Sequence, residues 1–387
     1  MSTMDVPCDR CAEFRQRFEA AGRRVLGCDP HPGKPGMCVL RFEFADAPIA
    51  PRSPVAPGVA TAPTARGAPA TPEAASAALT PTQVATVRAL VNVFETSSVL
   101  GDYGRVTLLP GDTGRLTYGR SQTTLGSGNL GELLRRYCSN AGGRFCSRLL
   151  PLLPHFQQKA DDLDHDAAVH NLLRACADDR VMRETQDAFF DEGFWQPALR
   201  AAKKLGLSLP LSIAVVYDSH IQGSWAALRK ATTEAVGTPD QVGERAWISA
   251  YVRLRRDWLA NNGNPILRST VYRMTSFQRL IDQGYWGLPL PLVVRDIEIS
   301  HTTLNSTPRG CYDGPQPGTR QLALTDPLPR GLDVRLVQLG LSDRGMDILA
   351  DGVFGRTSAQ RIAEYQIAKG LPATGVADLA MIAELTA

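Results

Sequence analysis

Glu95 and Asp112 are the residues of this chain whose setting best suits catalysis. Glu95 closes a stretch of helical periodicity, and Asp112 comes 17 positions later in a segment rich in glycine and threonine. Two carboxyls so placed suit acid-catalysed glycoside cleavage. One protonates the leaving oxygen while the other activates a water on the opposite face of the sugar. Carboxylate pairs are common, so spacing alone leaves a solvated helix-end glutamate as the rival reading of Glu95.

The elements that would position the pair are legible. Thr80-Pro81-Thr82-Gln83 forms a capping box with proline at the first helical position, so Thr80 and Gln83 can satisfy each other's free amides. Val84, Val87, Val91 and Phe94 then recur at helical spacing and define one apolar face. Glu95 adjoins Phe94, so partial burial is expected. That would raise its carboxyl pKa towards the range a general acid needs.

Three segments carry a family resemblance: Phe94-Glu95-Thr96-Ser97-Ser98, Gly111-Asp112-Thr113-Gly114-Arg115-Leu116-Thr117, and the run from Gly126 to Leu134. Together they resemble the catalytic region of the chitosanases of glycoside hydrolase family 46. The resemblance implies that Glu95 is the general acid, Asp112 the general base, and Thr117 a hydroxyl holding the attacking water. It also implies inversion, with the carboxyls about 6.5 to 9.5 Å apart or wider when open. Arg115 stands one position from the family's arginine, so no role carries over to it.

Fainter matches continue in the same order. They are Gln186 to Ala198, the helix around Val216-Tyr217-Asp218-Ser219-His220, and Glu244 to Arg255 with Trp247 and Tyr251. In the family a buried Asp and Arg pair supports the site, and Asp218 and Arg255 occupy those positions. Independently, an aspartate on an apolar helix (Ile213, Val215, Val216, Ile221) implies a counter-ion, because an unpaired buried charge is very costly. The lone His220 on this helix reads more readily as structural than as a proton shuttle.

The last segment reads as three short helices. Val334 to Leu341 is succeeded by the turn Asp351-Gly352-Val353-Phe354-Gly355, the helix Ser358 to Lys369, and a final helix ending at Leu385. It resembles the peptidoglycan-binding domain, and that resemblance implies wall contact by Asp351, Phe354, Tyr365 and Gln366. A three-helix bundle with another ligand is the alternative.

The remainder is organised around these two domains. Residues 1–46 read as a small cysteine-containing unit, 47–79 as a Pro/Ala-rich linker, 80–305 as the hydrolase, 306–330 as a connector and 331–387 as the wall-binding module. The linker reading rests on seven prolines between Pro48 and Pro72 with few apolar side chains among them. Cys8, Cys11, Cys28 and Cys38, with His31 nearby, allow three states: a structural zinc site, two disulfides, or reduced thiols. Cys138 and Cys146 are close enough in sequence to pair.

The expected fold is mainly α (α+β). It comprises a two-lobed, lysozyme-like and chitosanase-like domain with a small sheet at the cleft, plus the three-helix module. No cofactor is expected for catalysis. Lys and Arg number 42 against 39 for Asp and Glu, a net charge of +3 that favours approach to an anionic wall over a polycationic substrate. The expected function is hydrolysis of peptidoglycan glycan strands in the manner of a muramidase. The alternatives are a chitosanase cutting β-1,4 glucosamine links and a non-catalytic wall-binding protein. No nucleic acid is expected as a partner, and no run of about 20 apolar residues stands in the sequence to span a membrane. Met1 to Pro7 lacks the basic and apolar stretches of a secretory signal. The expectation is therefore non-classical delivery to a bacterial wall, as an antibacterial effector or an endolysin. An immunity protein and a secretion-apparatus component are then expected partners.

Overall fold

The computed structural model describes residues 2–7, 23–30, 37–44, 79–108, 112–120 and 122–387. The N-terminal strands β1 (Ser2–Pro7), β2 (Arg23–Pro30) and β3 (Met37–Phe44) form an antiparallel sheet in the order β1-β3-β2. Cys28 and Cys38 on this sheet are disulfide-bonded. A disulfide sulfur offers no thiolate to a metal, so the zinc reading fails at these two positions and the disulfide reading holds there. Cys8, Cys11 and His31 lie outside the described residues, as does nearly all of the linker.

Helix α1 (Pro81–Thr96) begins as its sequence dictates. The amide of Gln83 donates to Thr80 Oγ1 (3.2 Å) while the amide of Thr80 donates to Gln83 Oε1 (2.9 Å). Val87, Val91 and Phe94 are buried, and Val84 is half-buried. The helix stops because Ser97 adopts a left-handed backbone (φ 54°).

The chain divides into two compact units: Met1–Val87 with Ala198–Pro289, and Arg88–Pro197 with Leu290–Ala387. In the first, helices α5 (Pro210–Gln222), α6 (Glu244–Ala260) and α7 (Tyr272–Asp282) pack around the buried Tyr217, Trp247, Tyr251 and Phe277. Residues Pro210 to Ser219 of α5 are all buried. A helix apolar on every side belongs in a core.

In the second unit, strands β4 (Val106–Thr107), β5 (Thr117–Tyr118) and β6 (Thr123–Thr124) make a small antiparallel sheet in that order. Thr117 faces Thr107 on one side and Thr124 on the other. The sheet lies beside α2 (Asn129–Ser139), α3 (Ala167–Cys176) and α4 (Arg180–Phe190). Their core contains Leu116, Tyr118, Leu130, Leu134, Tyr137 and Met182, and it also contains Leu339 from the C-terminal segment. That segment forms α8 (Leu332–Asp343), α9 (Arg356–Ala368) and α10 (Leu379–Thr386). Its own core gathers Val334, Val337, Leu341, Phe354, Ile362 and Ile382.

Cys138 and Cys146 are both free thiols, so the pairing their spacing allows is not made. Burial and then a hydrogen bond to Cys146 push the Cys138 thiol up to about 12. Among the described residues, no helix is long and apolar enough to cross a membrane.

Candidate active site

Glu95 is exposed, one position before the end of α1. Its expected partial burial is not found. Val93 and Phe94 take the apolar side, and successive helical positions diverge by about 100° around the axis. The backbone just beyond Glu95 is pinned instead. Asn92 Nδ2 donates to the Val99 carbonyl (3.0 Å), so the chain folds back on the last helical turn.

Asp112 is also exposed and its side chain is locally tied. The amide of Gly114 donates to Asp112 Oδ1 (2.9 Å), and the amide of Arg115 donates to the Asp112 carbonyl (3.1 Å). This local turn aims the carboxylate. Gly126 closes against it, since a Cβ there would sit 2.2 Å from the Thr113 carbonyl. Arg115, which the sequence left without a role, anchors the loop. Its guanidinium donates to Asp164 Oδ2 (2.6 Å) and to the carbonyls of Lys159 (2.8 Å) and Ala160 (3.0 Å). Asp164 Oδ1 accepts from the amide of Leu116 (3.0 Å). Thr117 lies half-buried on β5, and its hydroxyl donates to the Arg115 carbonyl (3.1 Å).

Residues far apart in sequence hold these two segments. Arg120 comes two positions after β5 ends, and its guanidinium pairs with Asp187 on α4 and donates to Asn92 Oδ1 (3.4 Å) on α1. Tyr103 donates its hydroxyl to the same Asp187 Oδ1 (2.8 Å). Burial, reinforced by the Asp187 charge, pushes that phenol well above its ordinary pKa, so it remains a neutral donor. Gln186 accepts from the amide of Arg120 (2.9 Å) and donates to the Tyr103 carbonyl (3.0 Å). Gly119 (φ 72°) permits this approach, because a Cβ there would meet Gln186 Oε1 at 2.3 Å. Gln186 and Asp187 of α4 thus hold Arg120 beside the base's hairpin, and Arg120 in turn reaches the acid's helix at Asn92. Sequence reading missed Asn92, Arg120 and Asp187, which belong to three separate segments and carry no shared local pattern.

In the other unit Asp218 is fully buried and does carry a counter-ion, but the partner is Arg273 on α7 (2.8 Å). The expected pairing with Arg255 is corrected. Arg255, also fully buried, donates to Gln222 Oε1 (2.7 Å) and Tyr251 Oη (3.2 Å) on either side of it. His220 packs its ring 5.7 Å from that of Trp225. Burial, together with repulsion from Arg255, lowers its pKa, so it is neutral near pH 7.

In the C-terminal domain the four residues expected to meet the wall have internal work. Phe354 is fully buried. Gln366, also buried, accepts from the Gly375 amide (2.9 Å) and donates to the Val376 carbonyl (2.9 Å). The Tyr365 hydroxyl donates to Glu384 (2.6 Å). Asp351 is exposed, yet its Oδ1 accepts from Val353 N (2.8 Å) and Gln338 Nε2 (3.0 Å). These side chains hold the domain together, while exposed apolar surface lies at Ile367, Leu371 and Leu379. Among the described residues, no group of three or more His, Cys, Asp or Glu side chains is placed to hold a metal ion.

Comparison with known proteins agrees with this layout. The model of glycosyl hydrolase family 46 matches residues 89–292, and that of the peptidoglycan binding domain matches residues 330–385. A chitosanase of Bacillus subtilis (strain 168) is 26% identical over 235 residues, which is 57% of this chain and 84% of that protein. The solved native chitosanase of Bacillus subtilis MY002 is 26% identical with a TM-score of 0.46, covering 57% of this chain and 100% of that one. A Gynuella sunshinyii family 46 chitosanase, solved with chitotetraose, gives the same identity and TM-score and covers 57% and 98%. The chain belongs to glycosyl hydrolase family 46, is a glycoside hydrolase of β-1,4 bonds, and carries a C-terminal peptidoglycan-binding domain.

Proposed function

We propose that this enzyme cuts the β-1,4-linked glycan strands of bacterial peptidoglycan. The observation that carries the reading is the joining of a family 46 hydrolase and a peptidoglycan-binding domain in one chain. Glu95 donates the proton to the leaving oxygen, and Asp112 draws a proton from water. Thr117 spends its own hydroxyl proton on the Arg115 carbonyl, so its oxygen is left to accept. A water that donates one hydrogen to Asp112 and the other to Thr117 keeps a lone pair for the anomeric carbon, which gives inversion.

A second reading is cleavage of chitosan, favoured by the relatives, which are chitosanases. Incubation of the full-length enzyme with purified sacculi and with chitosan, then mass spectrometry of the products, separates the two. Soluble muropeptides from sacculi support the first reading. Glucosamine oligomers from chitosan, with sacculi untouched, would replace it. Proton NMR of the first-formed product should show the α-anomer. Glu95→Gln should lower turnover roughly 10² to 10⁴-fold with circular dichroism unchanged, since an amide cannot donate a catalytic proton. A near-normal rate in that variant removes Glu95 from the role.

Action on a wall also requires delivery to it, as an antibacterial effector or an endolysin. Lysis of a bacterial host when the chain is exported to its periplasm, and survival with Glu95→Gln, is the expected outcome. An effector would in addition need a cognate immunity protein in the producing cell and a component of the secretion apparatus to load it.

A further inference from the structure

The peptidoglycan-binding domain is joined to the hydrolase by more than a connector. Helix α8 divides its faces between two cores. Val334, Val337 and Leu341 point into the domain's own core, whereas Leu339 belongs to the core of the catalytic lobe with Leu336 packed beside it. Arg335 and Ser342 share the face of Leu339, at helical spacing. The Arg335 guanidinium lies 3.1 Å from Asp178 Oδ2, and both side chains are at most 4% exposed. It also donates to the carbonyls of Ala350 (2.7 Å) and Gly310. Asn171 on α3, likewise buried, donates to Ser342 Oγ (3.0 Å) and the Ile348 carbonyl (2.7 Å), and accepts from the Ala350 amide (3.0 Å).

The supposed connector is part of the same junction. The Tyr312 amide donates to Asp178 Oδ1 (2.8 Å), and the buried Cys311 packs with Tyr103 and Ala177. Tyr103 is the residue that donates to Asp187, and Asp187 holds Arg120. Asp178 and Asp179 immediately precede α4, and Asp179 caps that helix through the Val181 amide (2.9 Å). Two contacts therefore run from the C-terminal part of the chain towards α4 and Arg120: Arg335 to Asp178, just before α4, and Cys311 to Tyr103, which donates to Asp187 on that helix.

We infer that the peptidoglycan-binding domain is a structural part of the catalytic lobe, and that Arg335 is a positioning residue for the hydrolysis. Through Asp178 and α4 it fixes Arg120, and thereby the hairpin that bears Asp112 and Thr117. Misplacement of a catalytic group by about 1 Å can cost on the order of 10²-fold in rate. The inference rests on hydrolysis by Glu95 and Asp112, and not on which strand is cut.

The test uses the full chain with Arg335→Met and Arg335→Lys, assayed on short soluble glycans that need no wall contact, both chitosan oligomers and uncrosslinked glycan strands. Arg335→Met should lower kcat at least about tenfold with KM within about twofold of wild type. Amide exchange should quicken across α4 and strands β5 and β6. Arg335→Lys, which keeps the charge, should recover part of both. Unchanged kcat and exchange, with only sacculus binding lost, would overturn the inference and make the domain a tether. An inactive wild type would sink the proposed function and with it the positioning role of Arg335, whereas the exchange comparison would still decide whether the domain is a structural part of the lobe. If Arg335→Met does not fold, a protease site inserted between the exposed Gly318 and Thr319 decides the matter in otherwise unaltered protein. After cleavage the C-terminal fragment should stay bound on gel filtration with soluble activity kept. Release of the fragment with that activity intact would refute the inference.

Discussion

Among the described residues, each compact unit buries one aspartate–arginine pair, and the two pairs differ in what they join. Asp218 and Arg273 stand 55 positions apart on helices of a single lobe. Asp178 and Arg335 belong to segments matched by two different family models, yet they meet inside one core. A buried ion pair is a poor source of net stability, because desolvation offsets most of the attraction. It does penalise every arrangement that separates the partners. In the first unit that penalty fixes the packing of α5 against α7. In the second it fixes one domain upon another, and the domain boundary drawn from sequence motifs does not coincide with a mechanical boundary.

The largest effect should come from removing one charge of a buried pair. Asp218→Ala takes from the buried Arg273 the carboxylate it pairs with, and should cost about 3–5 kcal/mol in urea unfolding. Asp178→Ala should cost a similar amount and also lower turnover on soluble glycans. A loss below about 1 kcal/mol at either site would mean that the pair is solvated. Replacing both partners sharpens the contrast. Asp178→Leu with Arg335→Met removes both charges and should regain at least half of the stability lost in the single variant. Turnover should stay low, because the carbonyls of Ala350 and Gly310 lose the donor that placed them. Recovery of turnover together with stability would reduce Arg335 to a structural residue.

The next effect is in pH. Burial raises the Asp178 carboxyl to about 6, against the opposing pull of Arg335. The folded state therefore binds this proton more tightly than the unfolded chain does. The group's contribution to stability grows as pH falls from about 7 through 6 towards 4. In Arg335→Met the carboxyl loses its cation and takes up its proton at still higher pH. The gap in stability between wild type and variant should thus narrow between pH 7.5 and 5. A gap that widens in acid would assign the raised carboxyl to some other group.

How far the sequence reveals this depends on the range of the interactions. Helix α1 was legible from its capping box and apolar face, because both are set within four residues. The need for a counter-ion at Asp218 was legible from its apolar neighbours, but the identity of that partner was not: the resemblance pointed to Arg255, and the facing of Asp218 to Arg273 is set by the packing of α5 against α7. The burial expected for Glu95 failed because adjacency to Phe94 in sequence is not adjacency on a helix. Strands β4 to β6 have two residues each, too few to show alternation. Phe354 and Gln366 read as binding residues because a motif marks what is needed without saying whether the need is for ligand or for fold. The network of Asn92, Arg120 and Asp187 joins three separate segments and leaves no local pattern.

The smallest expected effect is the counterpart of Asp178 on the surface. Glu132, in the first turn of α2, accepts from Arg135 (2.8 Å, both oxygens) and from Arg136 (2.8 Å). Hydrogen bonds from Arg135, then Arg136, lower its carboxyl to about 2, although the side chain is 37% exposed. Solvent screening limits such pairs, so Glu132→Gln should cost less than about 1 kcal/mol despite the size of the shift. The sign is opposite to that of Asp178. A depressed carboxyl contributes stability that is present above about pH 4.5 and is lost as pH falls towards 2. The contribution should also fade in about 1 M salt, where screening acts within about 3 Å. Urea unfolding of wild type and Glu132→Gln at pH 7 and pH 3, with and without salt, measures both trends. A loss above about 2 kcal/mol that persists in salt would place Glu132 among the buried pairs, and the contrast between surface and junction would no longer hold.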